Sequence, residues 1–533
     1  MNPAAVTRPA GPGATLVSAC ILLVLVGLPL AGLLGAIVDP PPDPLGGNPS
    51  LSSVLSGSRV GELLVSSLGL SVVVAVLATG LGAALAWAEA RLEFPGRSVL
   101  GVMALLPLAS PSYLLAATFA HAFAPGGAAG FLGLARPTGL WAAALVLVVV
   151  TTPYVQLVVG AALARGSAAE EEAARSLGAS GFRVFQVAVL PGLRPALGLS
   201  ALIAALYAIS DFGAVAVLDA PVLTWRLFQA VKAASLAKAA ILGLATLGAT
   251  VPLFILARLL RGRHEARTVA NPRSPQRRPV GPAGTALAWL GFGTVILLGV
   301  VLPALTLAGW VADGIARDLP FAAPWSPLLQ TAGLSIAGAI GLLLLVIVPA
   351  RAVARSAPGA SWVDEGVFVT SALPGVLLAF GLMLAALGAS RLAGGGAVYA
   401  ALLASGVLLF LGYAARFAAE TYSPVRAAFA GVDARLYESA RVLGNPMRWV
   451  TRVEGPMVAP GLAAGALLAT LAILKELPVT LLLGGAMGVQ TLAFRVWDRY
   501  REALWHDAGL SGLLLMGLAL GLVALTLRWR RNA

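Results

Sequence analysis

Residues 170–195 read EEEAARSLGASGFRVFQVAVLPGLRP, and residues 437–460 read YESARVLGNPMRWVTRVEGPMVAP. Both stretches begin polar and charged, yet both lie between long apolar runs. Glu172 matches Glu438, and each is followed by a small residue (Ala173, Ser439) and then by Ala174-Arg175 or Ala440-Arg441. Leu177-Gly178 matches Leu443-Gly444, and Pro191 matches Pro456. Two copies about half a chain apart predict a duplicated domain, and a repeat of that length decides the fold before any single element does.

The material around the two copies is membrane-like. The chain has 533 residues, is 59% hydrophobic and only 11% charged, with a mean hydropathy of +0.90. Ordinary soluble domains carry about 25% charge. The class predicted is an all-α polytopic membrane protein. The net charge of +13 is spread over short loops between apolar runs. That is the positive-inside pattern rather than a nucleic-acid footprint, so no nucleic acid is expected as a partner. The single cysteine, Cys20, rules out an intrachain disulfide and a multi-cysteine metal site. The first apolar run, 14–38, is long enough to span and no small-residue cleavage pattern follows it. It is expected to stay as the first helix.

At about 20 apolar residues per span, twelve helices are expected. The first six lie near 15–38, 61–87, 98–123, 139–163, 196–218 and 237–260. The second six lie near 284–311, 328–350, 363–388, 396–416, 459–484 and 507–528. An Arg/Pro-rich linker, 261–283, separates the halves 1–260 and 284–533, whose motif loops span 167–195 and 433–460. Equal numbers of helices before each motif put both motifs on one face. The repeats are then parallel, related by a pseudo-two-fold axis along the membrane normal. Arginines in the linker, the motif loops, residues 351–355 and the tail assign that face, and both termini, to the cytoplasm. The loops 39–60, 124–138, 219–236, 312–327 and 485–506 then face outward. Further matches between the halves are Ser66–Ser71 with Gln330–Ser335, Leu106-Pro107 with Leu373-Pro374, and Thr224 with Thr491. Asp211 and Glu476 each follow the matched proline by 20 residues.

The motif itself reads as a short helix. Ser167 and Glu170 make a capping box, Glu170, Glu171 and Glu172 fill the first turn, and Gly178 is a C-terminal stop. Residues 168–177 should form a helix of about 15 Å, on which Ala173 and Ala174 leave room for another surface. A second short helix, Phe182–Leu190, is expected to lead to Pro191 and Pro195. In the second copy Asp433 can cap, Gly444 stops the helix and Asn445-Pro446 starts the next. One such helix would be an ordinary capped loop helix; two at matched positions point to a docking element.

This pattern resembles the EAA loop of ABC importer permeases, the binding-protein-dependent inner-membrane components. The resemblance covers nearly the whole chain as two fused halves. It implies that the loops form coupling helices that dock on an ATPase subunit. The residues concerned would be Glu171, Glu172, Ala173, Ala174, Gly178, Leu190 and Pro191, and Glu438, Ser439, Ala440, Gly444 and Pro456. The second copy departs from the pattern at Ser439 and Gly455, and is one residue shorter between its Gly and Pro. The resemblance further implies two ATPase copies, one periplasmic or extracellular binding protein, surrounding lipid, and a multi-pass place in a bacterial plasma membrane. ATP and Mg would sit on the partner ATPase, with no cofactor in this chain. The stretches SDFGAVAVLD (210–219), LKELPVTLLL (474–483) and TLAFRVWD (491–498) look most like ferric-iron transporter permeases. The thiamine permease is similar in layout. Ferric iron is therefore the expected substrate, with thiamine, polyamine or phosphonate as alternatives.

Asp211, Lys475 and Glu476 are charges inside predicted spans, where charge is rare and marks pathways. With Ser210, Phe212, Gly213, Leu477 and Pro478 they are expected to line the translocation path, Lys475 being able to pair with Asp211. A purely structural ion pair is the competing reading. The three histidines, His121, His264 and His506, have no ligand spacing. None of the three lysines, Lys232, Lys238 and Lys475, follows a glycine, so there is no phosphate-binding G-x-x-x-x-G-K-[ST] loop. No catalytic set stands out, so the chain is not expected to be an enzyme. A secondary transporter with six-plus-six parallel repeats is the rival of another class; it would need coupling-ion carboxylates in several spans.

Overall fold

The structure, a computed structural model, describes residues 12–39, 59–124, 126–127, 129–133, 135–164, 168–265, 277–433, 435–436 and 450–532. It is an all-helical membrane fold. Among the described residues the strands are two residues each, Leu92–Glu93 and Arg278–Pro279, paired in parallel. Among the described residues ten helices are long and apolar enough to cross a membrane, or twelve if two bent pairs each count as one span.

Several expected spans are broken where the sequence suggested continuity. The span near 98–123 is two helices, Arg97–Met103 and Ser112–Ala122, joined through a 3-10 turn, Leu106–Ala109, and bent by 101°. The span near 363–388 is cut at Leu373-Pro374 into Ala360–Ala372 and Gly375–Leu392. The helix expected at 196–218 ends at Ser210, and a five-residue helix, Gly213–Val217, follows. The helix expected at 459–484 ends at Leu474 and resumes as Pro478–Leu483. The span near 396–416 is Ala397–Ala404 plus Val407–Ala430, bent by 64°. Broken backbone at membrane depth is tolerated only where protein or a water-filled cavity covers it.

The structure also corrects two of the proposed matches. Pro374 starts the helix Gly375–Leu392 as Pro111, not Pro107, starts Ser112–Ala122, with φ/ψ of −59/138 at Pro374 and −65/143 at Pro111. The ten-residue helices Leu223–Lys232 and Leu492–Arg501, both inside stretches expected to be loops, begin at Leu223 and Leu492. Thr224 is therefore inside its helix whereas Thr491 caps the other. Each first amide is received by a hydroxyl: Leu223 N by Ser67 Oγ at 2.9 Å, and Leu492 N by Thr331 Oγ1 at 2.7 Å.

Among the described residues four spans contain a five-residue π segment: Leu23–Gly27, Phe185–Val189, Leu297–Val301 and Val450–Glu454. Each ends two residues before a proline, respectively Pro29, Pro191, Pro303 and Pro456. A proline inside a helix lacks an N–H and its ring crowds the carbonyl four residues back. One extra residue in the preceding turn, a π-bulge, removes both problems without ending the helix. For this reason Phe182–Leu190 is not a separate short helix: from Gly181 the chain stays helical through Pro191 and Pro195 to Ser210.

The first helices pack across the chain. Helix Leu28–Val38 lies against Gly375–Leu392, where Gly32 faces Gly381 and Ala385, and Gly381 faces the carbonyl of Pro29; a Cβ on either glycine would collide with backbone. The continuous span Pro282–Ala316 runs beside Ser112–Ala122 and Trp505–Asn532, with Gly299 against Pro107 and Val149. In lipid, where apolar surface gains nothing by leaving the solvent, such close backbone approach is what drives helix association.

Candidate functional site

Four of the five breaks, those near 108–111, 373–374, 211–212 and 475–477, meet at one cavity of about 460 Å³. Leu108, Pro111, Ser112, Ser210, Asp211, Phe212, Gly213, Gly375, Lys475, Glu476, Leu477 and Pro478 all line it, together with Arg416 and Glu420. All eight residues expected along the path are thus brought together.

The two matched carboxylates do the same local work. Asp211 Oδ2 accepts the amide of Ala214 at 2.8 Å, and Oδ1 accepts Ser112 Oγ at 2.5 Å. Glu476 Oε1 accepts the amide of Val479 at 3.1 Å, and it lies 3.2 Å from where a Cβ on Gly375 would stand. Each carboxylate therefore satisfies an orphan amide three residues on, at the start of the short helix after the break. Each also faces the N-terminus of a second broken helix, at Ser112 or at Gly375. The residue before each carboxylate reaches toward the other half: Ser210 Oγ donates to Ala372 O at 3.3 Å, and Lys475 Nζ donates to Leu108 O at 2.9 Å. Lys475 therefore holds a carbonyl, and the anticipated partnership of Lys475 with Asp211 is not formed.

The sequence reading missed Arg416 and Glu420, because helix Val407–Ala430 runs well past the end expected near 416. Arg416 Nη1 donates to Ser371 O at 3.2 Å. Glu420 is exposed to the cavity. Their i,i+4 spacing with Ser423 close by on the same face was a signal available in the sequence. Tyr154 and Tyr207, with ring centroids 5.9 Å apart, complete this polar wall.

At the end of the bundle that carries the first motif, the helix Ala168–Ser176 forms as expected. Gly178 follows it at φ +80°, a left-handed stop that a side chain would strain. The return bonds Gly178 N to Arg175 O at 2.9 Å and Ala179 N to Ala174 O at 3.1 Å close the helix end. Glu172 and Ala173 are exposed and Leu177 is 88% exposed, so this face is open. Glu171 is different: it is 3% exposed and turned inward. In the second copy Asp433 Oδ1 accepts the amide of Arg435 at 2.9 Å, the cap expected there. Glu438, Ser439, Ala440 and Gly444, and Ser167 of the first copy, lie outside the described residues. Pro456 is described and occupies the first turn after its π segment. Among the described residues no cluster of three or more His, Cys, Asp or Glu could hold a metal ion.

An all-helical bundle with broken helices around a polar cavity, and a short exposed helix at one end, defines the membrane-embedded subunit of a transporter. Residues 64–269 match the family described as "Binding-protein-dependent transport system inner membrane component", and the chain resembles the ABC permeases of binding-protein-dependent import. Members of this family are membrane subunits and not enzymes. The chain is 26% identical over 510 residues to the Fe(3+)-transport system permease protein FbpB 2 of Haemophilus influenzae, covering 93% of this chain and 95% of that one. It is 29% identical over 414 residues to the probable ABC transporter permease protein y4fN of Sinorhizobium fredii, covering 69% of each. It is also 34% identical over 138 residues to the sulfate transport system permease protein CysT of Salmonella typhimurium, covering 25% of this chain and half of that one. The chain is a multi-pass inner-membrane protein that resembles ferric-iron permeases.

Proposed function

We propose that this permease imports ferric iron, handed over by an external binding protein and driven by two copies of a separate ATPase. The observation that carries the substrate is collinearity: the likeness to the Fe(3+) permease runs through 93% of the chain, whereas the likeness to the sulfate permease covers 25% of it. The cavity carries Asp211, Glu420 and Glu476 beside Arg416 and Lys475; among the described residues no three His, Cys, Asp or Glu side chains converge to hold a metal ion, so in this reading the cavity is a passage and the external binding protein selects the cation.

In this reading residues 1–260 and 284–533 are two permease halves joined by a linker at 261–283, with both termini in the cytoplasm. The matched carboxylates, the matched π-proline pairs and the matched hydroxyl-to-amide bonds support a pseudo-two-fold relation. The helix Ala168–Ser176 docks on one ATPase copy through Glu172, Ala173, Ala174 and Leu177, with Gly178 setting its end. Residues 434–443, including Glu438, Ser439, Ala440 and Gly444, dock on the other. Leu190, Pro191 and Pro456 carry that motion into the path helices. ATP and Mg act on the ATPase. Closure of the ATPase pair moves both loops, and the breaks at 211–212 and 475–477 open the cavity alternately to each side.

The test is ATP hydrolysis by the reconstituted complex of permease, cognate ATPase and cognate binding protein. Iron-loaded binding protein should stimulate hydrolysis several-fold, and sulfate, thiamine or spermidine should not. Stimulation by one of the latter would keep the importer and replace the substrate. Absence of ATPase association would remove the importer reading altogether.

A further inference from the structure

Glu171 and Glu172 are neighbours in the motif and face opposite ways. Glu172 is exposed, and Glu171 is 3% exposed. Glu171 Oε1 accepts Arg91 Nη2 at 2.7 Å, and Oε2 accepts Arg175 Nη2 at 3.1 Å. Arg91 is the last residue of the membrane-spanning helix Val60–Arg91 and is itself 6% exposed. Its guanidinium also lies over Trp87, 5.7 Å from the ring centroid, and Trp87 packs edge-on against Phe185 of the π segment that follows the motif helix.

The second half ties its corresponding helix elsewhere. Arg351 and Arg355, at the end of Trp325–Ala354, hold Glu454 with contacts of 2.6 to 2.9 Å. Glu454 closes the π segment Val450–Glu454 at the root of Gly455–Leu474. The first tie therefore grips the exposed motif helix itself. The second grips the base of the span leading to Lys475 and Glu476.

We propose that Arg91 is a positioning residue that makes helix Val60–Arg91 move as one body with the motif helix, so that Glu171 transmits ATPase movement and does not contact the ATPase. This rests on the docking role proposed above for Ala168–Ser176. A charge-assisted bond between two buried groups resists separation because either partner alone would be left charged and unsolvated. A surface pair would yield to water and salt. The tie is therefore suited to carry a displacement of the exposed helix into a span that packs along Gly139–Ala164, a wall of the cavity through Tyr154.

The experiment measures iron transported per ATP hydrolysed, in proteoliposomes holding the full complex. Wild type, Arg91→Gln, Arg91→Lys and the exchange Arg91→Glu with Glu171→Arg are compared, with ATPase co-purification scored for each. Arg91→Gln should retain the ATPase and its basal hydrolysis but transport at least tenfold less per ATP. Arg91→Lys, which keeps the charge but not the guanidinium, should recover at least a third of the wild-type ratio without reaching it. If Arg91→Gln does not assemble, Arg91→Lys decides: an assembled complex with a lowered ratio supports the tie, and an unchanged ratio overturns it. A wild-type ratio in Arg91→Gln overturns the proposal, as does loss of assembly in all three variants, which would mark a folding role alone. Failure of the wild-type complex to bind the ATPase would instead overturn the docking role of the motif helix.

Discussion

Asp211, Lys475 and Glu476 are legible in sequence because charge inside a span is costly and seldom kept without a use. Their partners were not legible. The carboxylates are occupied by amides and a hydroxyl that exist only because the helices break beside them, and the breaks carry no proline at Asp211 to announce them. Lys475 reaches the carbonyl of Leu108, a group no side-chain pattern can advertise. Replacing Asp211 by Ala leaves the Ala214 amide and Ser112 without their acceptor, a loss of about 1–3 kcal/mol. The purified protein should unfold at a lower temperature in detergent, and Asp211→Asn, which can still accept, should lose less. Lys475→Met should abolish uptake while the ATPase still co-purifies, because the lysine crosses between the halves but lies far from the motif helix. Unchanged uptake would remove it from the mechanism.

Hydropathy gave the helices to within a few residues where they run straight, since length and apolarity alone set a span. It failed where a span is cut, because a broken helix and an intact one have the same average apolarity. Proline was ambiguous for a physical reason. Pro111 and Pro374 start helices after extended backbone, whereas Pro191 and Pro456 sit within continuous helix because a π segment precedes each. The packing of Leu28–Val38 on Gly375–Leu392 was equally invisible, since small residues are common in spans whether or not they touch. The contact makes a sharp comparison possible. Gly381→Leu would drive a side chain into the carbonyl of Pro29, whereas Gly388→Leu meets nothing within 4 Å. Overpacking costs about 1–3 kcal/mol, so the first variant should melt earlier in detergent and the second should melt like wild type.

Across the whole molecule, the repeat did most to make the architecture readable. A motif present twice on the same side of six helices constrains the topology more than any single hydropathy peak. The first part of its second copy, residues 437–449, lies outside the described residues, so the relation of the halves rests on their other matched features. The side of the membrane on which each loop lies follows from arginine placement, which is a bias of the insertion process and not a property of the fold. That assignment can be read directly, because Cys20 is the sole native cysteine. In a Cys20→Ser background, single cysteines replace exposed residues at each end: Ala233 and Glu502 at one, Arg183 and Ser356 at the other. A membrane-impermeant maleimide added to intact cells opened only at the outer membrane should label Ala233→Cys and Glu502→Cys. The other two should label only after the inner membrane is permeabilised. Labelling of Glu502→Cys together with Ser356→Cys, on the side opposite Ala233→Cys, would mean that the bent pair Ala397–Ala404 and Val407–Ala430 is re-entrant, so that one crossing fewer separates residues 356 and 502. The reverse pattern would place the helix Ala168–Ser176 outside, where no ATPase could reach it, and the coupling scheme would fall with it.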